Sequence, residues 1–154
     1  MNMNLTHRVI TKRLKVDGTN YTGAANTTDL TSEAVDTQNA DAVRFICGFG
    51  TITAGAVTST KVRQGQQSNM SDGADLAGTA QTVADTDDNK IVITEIHRPQ
   101  ERYVDHVVDR GTQNAVIDFL IVELLFLRKF PVTQDAATVV GSAEVHNSPA
   151  EGTA

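Results

Sequence analysis

Residues 115–127 read AVIDFLIVELLFL, and eleven of these thirteen side chains are apolar; only Asp118 and Glu123 interrupt the run. A membrane-crossing helix needs about 20 apolar residues. The run is too short for that and is expected to be the most buried segment of a soluble core. Periodicity alone does not separate helix from strand in so apolar a stretch. Val, Ile and Phe fill six of the thirteen positions, which suits a pleated sheet. On a helix the two acids would lie ~140° apart, so no single polar stripe forms. The preceding DRGTQN at 109–114 has the look of a hairpin loop, and 103–108 before it reads as strand. We therefore read 115–127 as a long strand, buried on both faces and bulged between Asp118 and Glu123. A helix is the alternative.

Working outward, 42–49 is the clearest alternating strand: Val43, Phe45, Cys47 and Phe49 share one face. A Gly/Ala/Thr link at 50–56 follows. Residues 57–64 form a polar strand whose thin apolar content predicts a sheet edge or a solvated face. A long polar loop at 65–78 turns tightly at Ser71-Asp72-Gly73. Further strands are predicted at 81–84, 90–96 and 103–108, with shorter candidates at 9–16 and 29–37. Seven or eight short strands separated by turn signals, with no amphipathic helix, predict an all-β fold: a single β-sandwich or jelly-roll-like domain. Residues 17–131 are its body. Residues 1–16 read as a basic N-terminal arm and 132–154 as an extended C-terminal tail.

The 154 residues suit one domain. Aromatics are 5% of the chain and Trp is absent, so the core is aliphatic. A net charge of −6 argues against a nucleic-acid partner. Charge is nonetheless polarised. Arg8, Lys12, Arg13 and Lys15 give the first sixteen residues +4, whereas the segment after Pro131 carries Asp135, Glu144 and Glu151 and no Lys or Arg. These ends read either as two solvated tails or as complementary arms that bind a partner surface or another copy. In the second case Arg8, Lys12, Arg13, Lys15, Pro131, Asp135 and Glu144 are the candidate partner-binding residues. Cys47 rules out an intrachain disulfide and reads as a small buried hydrophobe. No signal peptide or transmembrane helix is visible in the sequence, which predicts a reducing, cytoplasmic site of synthesis and assembly.

No catalytic motif emerges. Gly-x-Ser-x-Gly and a Walker loop are absent, and Gly48-Phe49-Gly50 lacks the third glycine of a dinucleotide fingerprint. His97 and His106 could meet across a hairpin, but none of the four histidines pairs at metal-ligand spacing. Asp85, Asp87 and Asn89 begin a calcium-loop spacing that breaks at Lys90 and Ile96, so a solvated acidic turn is expected. Asp118 and Glu123 could carry raised pKa values, or meet a base from a neighbouring copy. These observations predict no enzyme activity, cofactor, metal or small-molecule substrate, and no membrane partner.

The order of features over 31–131 resembles a family. An alternating apolar strand (43–49) is followed by the polar strand TSTKVRQ (58–64) and the DGADLA loop (72–77). An Arg102-Tyr103-Val104 strand start, a last apolar strand and Pro131 complete it. This is similar to small tailed-bacteriophage virion proteins of the capsid decoration, or cement, type. The resemblance implies a β-sandwich body, often trimeric, that sits on the outside of the phage head and bridges major capsid subunits. The long final strand and the charged ends depart from that pattern and would suit a neck, head–tail joining or tail ring protein. A host- or glycan-binding β-sandwich is disfavoured by the lack of Trp and the presence of only two Tyr.

Overall fold

The computed structural model describes residues 5–16, 18–20, 25–128, 131–135 and 137–139. After a single 3-10 turn at Leu5–His7, the strands are β1 (Val9–Arg13), β2 (Lys15–Val16), β3 (Thr19–Asn20), β4 (Leu30–Thr31), β5 (Val35–Asp36) and β6 (Ala42–Ile52). Then follow β7 (Val57–Gly65), β8 (Ala74–Asp75), β9 (Gln81–Val83), β10 (Ile91–His97), β11 (Tyr103–Gly111) and β12 (Ala115–Leu125). Two antiparallel sheets face each other as a β-sandwich. The first has the order β1-β12-β6-β10; the second runs β4-β11-β7-β8, with β5 also on β11 and β9 on β7. A small β2-β3 ribbon stands beside them.

Alternation explains β6. Val43, Phe45, Cys47 and Phe49 point inward and none is more than 2% exposed. Cys47 is the buried hydrophobe expected, and burial pushes its thiol pKa up to about 12, so it stays an inert thiol. The apolar run is a strand, not a helix. It pairs with β6 from Leu125↔Ala42 to Ala115↔Ile52, with register shifts between Ala115 and Phe119. Ala115 and Ile117 point inward before the shift, and Leu120 and Val122 after it. The bulge therefore precedes the expected position between Asp118 and Glu123, and both acids end on the outer face. That outer face is only half buried, and Asp118 is exposed, so the strand is not buried on both faces as expected. Phe119 lies over Gly48, where any Cβ would overlap its ring.

Four other expectations need correction. The 109–114 segment is not a hairpin loop, because it carries the chain from β11 in the second sheet to β12 in the first. The link at 50–56 is shorter than read, since β6 continues to Ile52. The polar strand β7 is not an edge: β11 flanks it on one side and β8 and β9 on the other. Its Thr58, Thr60 and Val62 face the core at 2%, 0% and 0% exposure. Threonine is β-branched and small, so it fits a pleated interior despite its hydroxyl. Finally, residues 5–16 are not an arm. β1 pairs with β12 along its full length, from Val9↔Leu125 to Arg13↔Ile121, and Leu14 is fully buried. The start of the C-terminal segment also lies along this strand, with the Val132 N–H donating to His7 O at 2.9 Å. Residues 140–154 lie outside the described residues.

Removing residues 1–16 deletes an edge strand and a core leucine, whose loss alone costs about 2–5 kcal/mol. The truncated chain is expected to lose its cooperative thermal transition; an unchanged melting temperature would show that the segment is dispensable.

A second expectation concerns the interior. His106 projects from β11 against Phe45, with ring centroids 5.4 Å apart. Burial holds its pKa down at about 4, against 6.5 for the free side chain. The folded state keeps the ring neutral while the unfolded chain protonates first. Stability is therefore lost as pH falls from about 6.5 to about 4, by about 3 kcal/mol in total. Urea unfolding at stepped pH should show this loss, and His106→Leu should flatten most of it. Parallel profiles for the two proteins would refute the assignment.

Candidate functional site

The outer faces of the two sheets differ in kind. The second presents a ladder of ion pairs. Lys61 Nζ lies 3.2 Å from Asp75 and 3.7 Å from Asp109. Arg63 forks onto Asp105, its Nε donating to Oδ1 at 3.0 Å. The Asp105 carboxylate raises the Arg63 pKa through that bond. Asp105 is itself 1% exposed, a buried charge that the guanidinium offsets.

The first sheet's outer face carries both apolar and polar rows. Register sets its side chains in rows across the strands. Ile91, Gly48 and Phe119 form one row, and Ile93, Ile46, Ile121 and Arg13 the next. The third is polar: Glu95, Arg44, Glu123 and Thr11. Ile91 and Ile93 are 54% and 47% exposed. In the polar row Arg44 Nε donates to Glu123 Oε2 at 2.8 Å, and Glu95 turns to His97 at 2.9 Å. Beyond that row lies a cleft of about 310 Å³, floored by Arg44 and Glu123 and walled by Leu5, Val9, Gln134 and Val139. A smaller one of about 180 Å³ adjoins it, bounded also by Ala42, Glu95 and Leu125.

The residues expected to bind a partner do not form one patch. Arg13 lies on this outer face and is exposed. Lys12, one residue earlier, turns to the other side and pairs with Glu33 at 3.1 Å. The Lys15 main chain exchanges hydrogen bonds with Glu33, its N–H meeting the carboxylate at 3.2 Å. Arg8 Nη1 donates to the Leu127 carbonyl at 3.4 Å. Pro131 is exposed, while Asp135 closes a local turn by accepting the Ala137 N–H at 2.9 Å. Glu144 lies outside the described residues.

What joins the two ends is an amide rather than charge. Gln134 Oε1 accepts the Thr11 N–H at 3.0 Å, and its Nε2 donates to the carbonyls of Thr6 at 3.0 Å and Val9 at 2.6 Å. One side chain thus takes the place of a neighbouring strand along β1. Nothing in the local sequence marks Gln134 for this role, because the contact spans more than 120 residues.

The other candidates stay apart. His97 is exposed at the end of β10 and His106 is buried in the second sheet. Asp85 and Asp88 accept the main-chain N–H groups of Gly55 and Ile52, each at 2.6 Å, and Asp87 accepts that of Ala84 at 2.9 Å. Asp85 and Asp88 brace the β6–β7 turn, whereas Asp87 closes its own β9–β10 loop. Among the described residues no group of three or more His, Cys, Asp or Glu could hold a metal ion. Glu123 meets Arg44 of its own chain, and Asp118 sits over Gly50.

No protein-family model and no curated protein matches the chain. Among solved structures, the fold is similar to part of the enzymatically active domain of bacteriophage CBA120 tailspike protein 4. The TM-score is 0.52 and the identity 11%, over 78% of this chain and 19% of that one. A CBM22-1 xylan-binding domain from Paenibacillus barcinonensis Xyn10C aligns at TM-score 0.41 and 10% identity, over 76% of this chain and 94% of that one. At such identities the likeness is one of fold.

Gln134→Ala removes three hydrogen bonds from the half-buried β1 edge. It is expected to lower the unfolding free energy by about 1–2 kcal/mol, read by chemical denaturation. A loss below a few tenths would show that water replaces the amide at no cost.

Proposed function

We propose that this chain is a structural protein of a phage particle that acts by binding and catalyses no reaction. Its docking surface is the outer face of the first sheet. In its most specific form it decorates the head exterior, bridging major capsid subunits so that the shell resists internal pressure. One observation carries the reading. The apolar rows around Ile46, Ile93 and Ile121 lie on a four-stranded sheet, with the Arg44–Glu123 pair in the polar row beside them. Contiguous apolar area rimmed by polar groups is what a protein partner covers. The sequence resemblance to decoration proteins supports a capsid partner, and a sandwich related in fold to part of a phage tailspike domain is compatible with it.

The clefts at Arg44 and Glu123 favour a second reading, in which the same sheet holds a glycan through planar polar groups. That reading has little aromatic surface to stack a sugar on, since the chain has no Trp.

The test is co-sedimentation with assembled shells of the cognate major capsid protein, alongside a glycan array. The wild-type chain should pellet with shells. Ile121→Glu, placed next to Arg13 in register, should weaken that binding at least tenfold with little change in melting temperature. A chain that ignores shells and binds a glycan class would replace this reading with the second.

A further inference from the structure

The first sheet has two edges, and they are finished differently. Gln134 satisfies β1 with both a donor and an acceptor. The other edge is β10. The Phe49 N–H donates to Lys90 O and the Arg98 N–H to Asp41 O, each at 2.9 Å. In an antiparallel ladder those bonds alternate, so even-numbered residues of β10 turn their main chain to β6. Ile91, Ile93, Glu95 and His97 turn theirs outward. Among the described residues only Ile93 O meets a partner across this edge, the Gln81 Nε2 at 3.1 Å. The same amide also reaches Thr94 Oγ1 at 2.8 Å. No described residue accepts from the outward N–H groups.

Natural edges are guarded by proline, bulges, or lysines along the strand. β10 has none of these: its register with β6 is unbroken from Ile91 to His97 and its sequence is IVITEIH. Two of its four exposed side chains are isoleucines, Ile91 and Ile93; the others are Glu95 and His97.

We propose that β10 pairs with β10 of a second copy, antiparallel, about a two-fold axis at Ile93. The argument for this occupant is self-complementarity. An open, regular edge is completed by an extended strand. An axis at Ile93 sets isoleucine against isoleucine and Ile91 against Glu95, so no like charges meet. An axis at Glu95 would set two carboxylates opposite each other, which is destabilising; an axis at Thr94 would set no isoleucine against isoleucine along this face, placing Ile93 on Glu95 and Ile91 on His97. Gln81 swings aside on pairing, and main-chain bonds replace the two it made. The axis runs perpendicular to the sheet, so two four-stranded sheets become one of eight strands with both outer faces on the same side. The assembly is a two-fold dimer in place of the trimer that the family resemblance implies. It stands independently of what the outer face binds.

The full-length chain is tested by sedimentation velocity and by cross-linking. The expected mass is a dimer. With a short thiol-reactive bifunctional cross-linker Ile93→Cys should form a covalent dimer, because directly opposed residues of a hydrogen-bonded pair lie ~5.5 Å apart. Val57→Cys, 67% exposed on the other sheet, should not. Glu95→Pro removes one outward N–H while leaving the bonds to β6 intact, and it should weaken self-association at least tenfold at an unchanged melting temperature. Should that variant fail to fold, Ile93→Lys gives the same readout. A monomer at all concentrations, a trimer, or equal cross-linking at position 57 overturns the proposal.

Discussion

The pairing of β12 with β6 is the constraint on which the rest of the molecule depends. These strands form the middle of the first sheet, and their inward side chains supply most of the aliphatic core: Val43, Phe45, Cys47 and Phe49 from one, Ile117, Leu120 and Val122 from the other. The register shifts between Ala115 and Phe119 let so apolar a strand sit there. Without a shift, Ile117 and Leu120 would point to opposite faces, because side chains alternate with a period of two. The bulge turns both inward and sends Asp118, Phe119, Ile121 and Glu123 out. The apolar rows and the Arg44–Glu123 pair on the outer face are therefore consequences of the same irregularity that completes the core.

Opposite this aliphatic wall, the second sheet contributes a mixed one. Thr58, Thr60, His106 and Arg110 are all buried along β7 and β11. Arg110 is satisfied by main-chain oxygens, donating to Thr28 O at 2.7 Å and Ala115 O at 2.9 Å. It thereby ties both sheets together at one end of the sandwich. The two threonine hydroxyls and His106 Nδ1 have no hydrogen-bond partner among the described residues, and such groups cost free energy when buried. Phe45 and its neighbours offset that cost by area.

Much of the architecture was legible because strong patterns carried it. The alternation in 43–49 and the apolar density of 115–127 gave the two central strands, and turn residues marked most of the others. Where the reading failed, a specific physical effect won. Consecutive strands usually pair, so 109–114 looked like a hairpin, but β11 and β12 belong to opposite sheets. Threonines at 58 and 60 read as polar although β-branching suits them to the interior. Charge at Arg8, Lys12, Arg13 and Lys15 masked the alternation of Ile10, Lys12 and Leu14, which holds β1 in the sheet. The first sheet's outer face was partly visible as well: Arg44 and Ile46 share a parity opposite to Phe45, and Glu123 follows Ile121 by two. The partner of each across the sheet follows from register alone, which no local pattern encodes, and the same holds for Gln134 on β1.

The distribution of ionisable groups bears on what the surface does. Groups that could move protons are committed elsewhere: His106 is held neutral between the sheets, Asp105 is locked to Arg63, Asp85 and Asp88 brace the β6–β7 turn, and Asp87 closes its own loop. In the clefts Glu123 is neutralised by Arg44. On the first sheet's outer face Asp118 and Arg13 stay exposed and Glu95 pairs with His97, beside the exposed Ile91 and Ile93. The isoleucine rows and the Arg44–Glu123 pair beside them are set by the register of β6, β10 and β12, whereas on the opposite sheet Asp105 is buried against Arg63 and Lys61 bridges the more exposed Asp75 and Asp109.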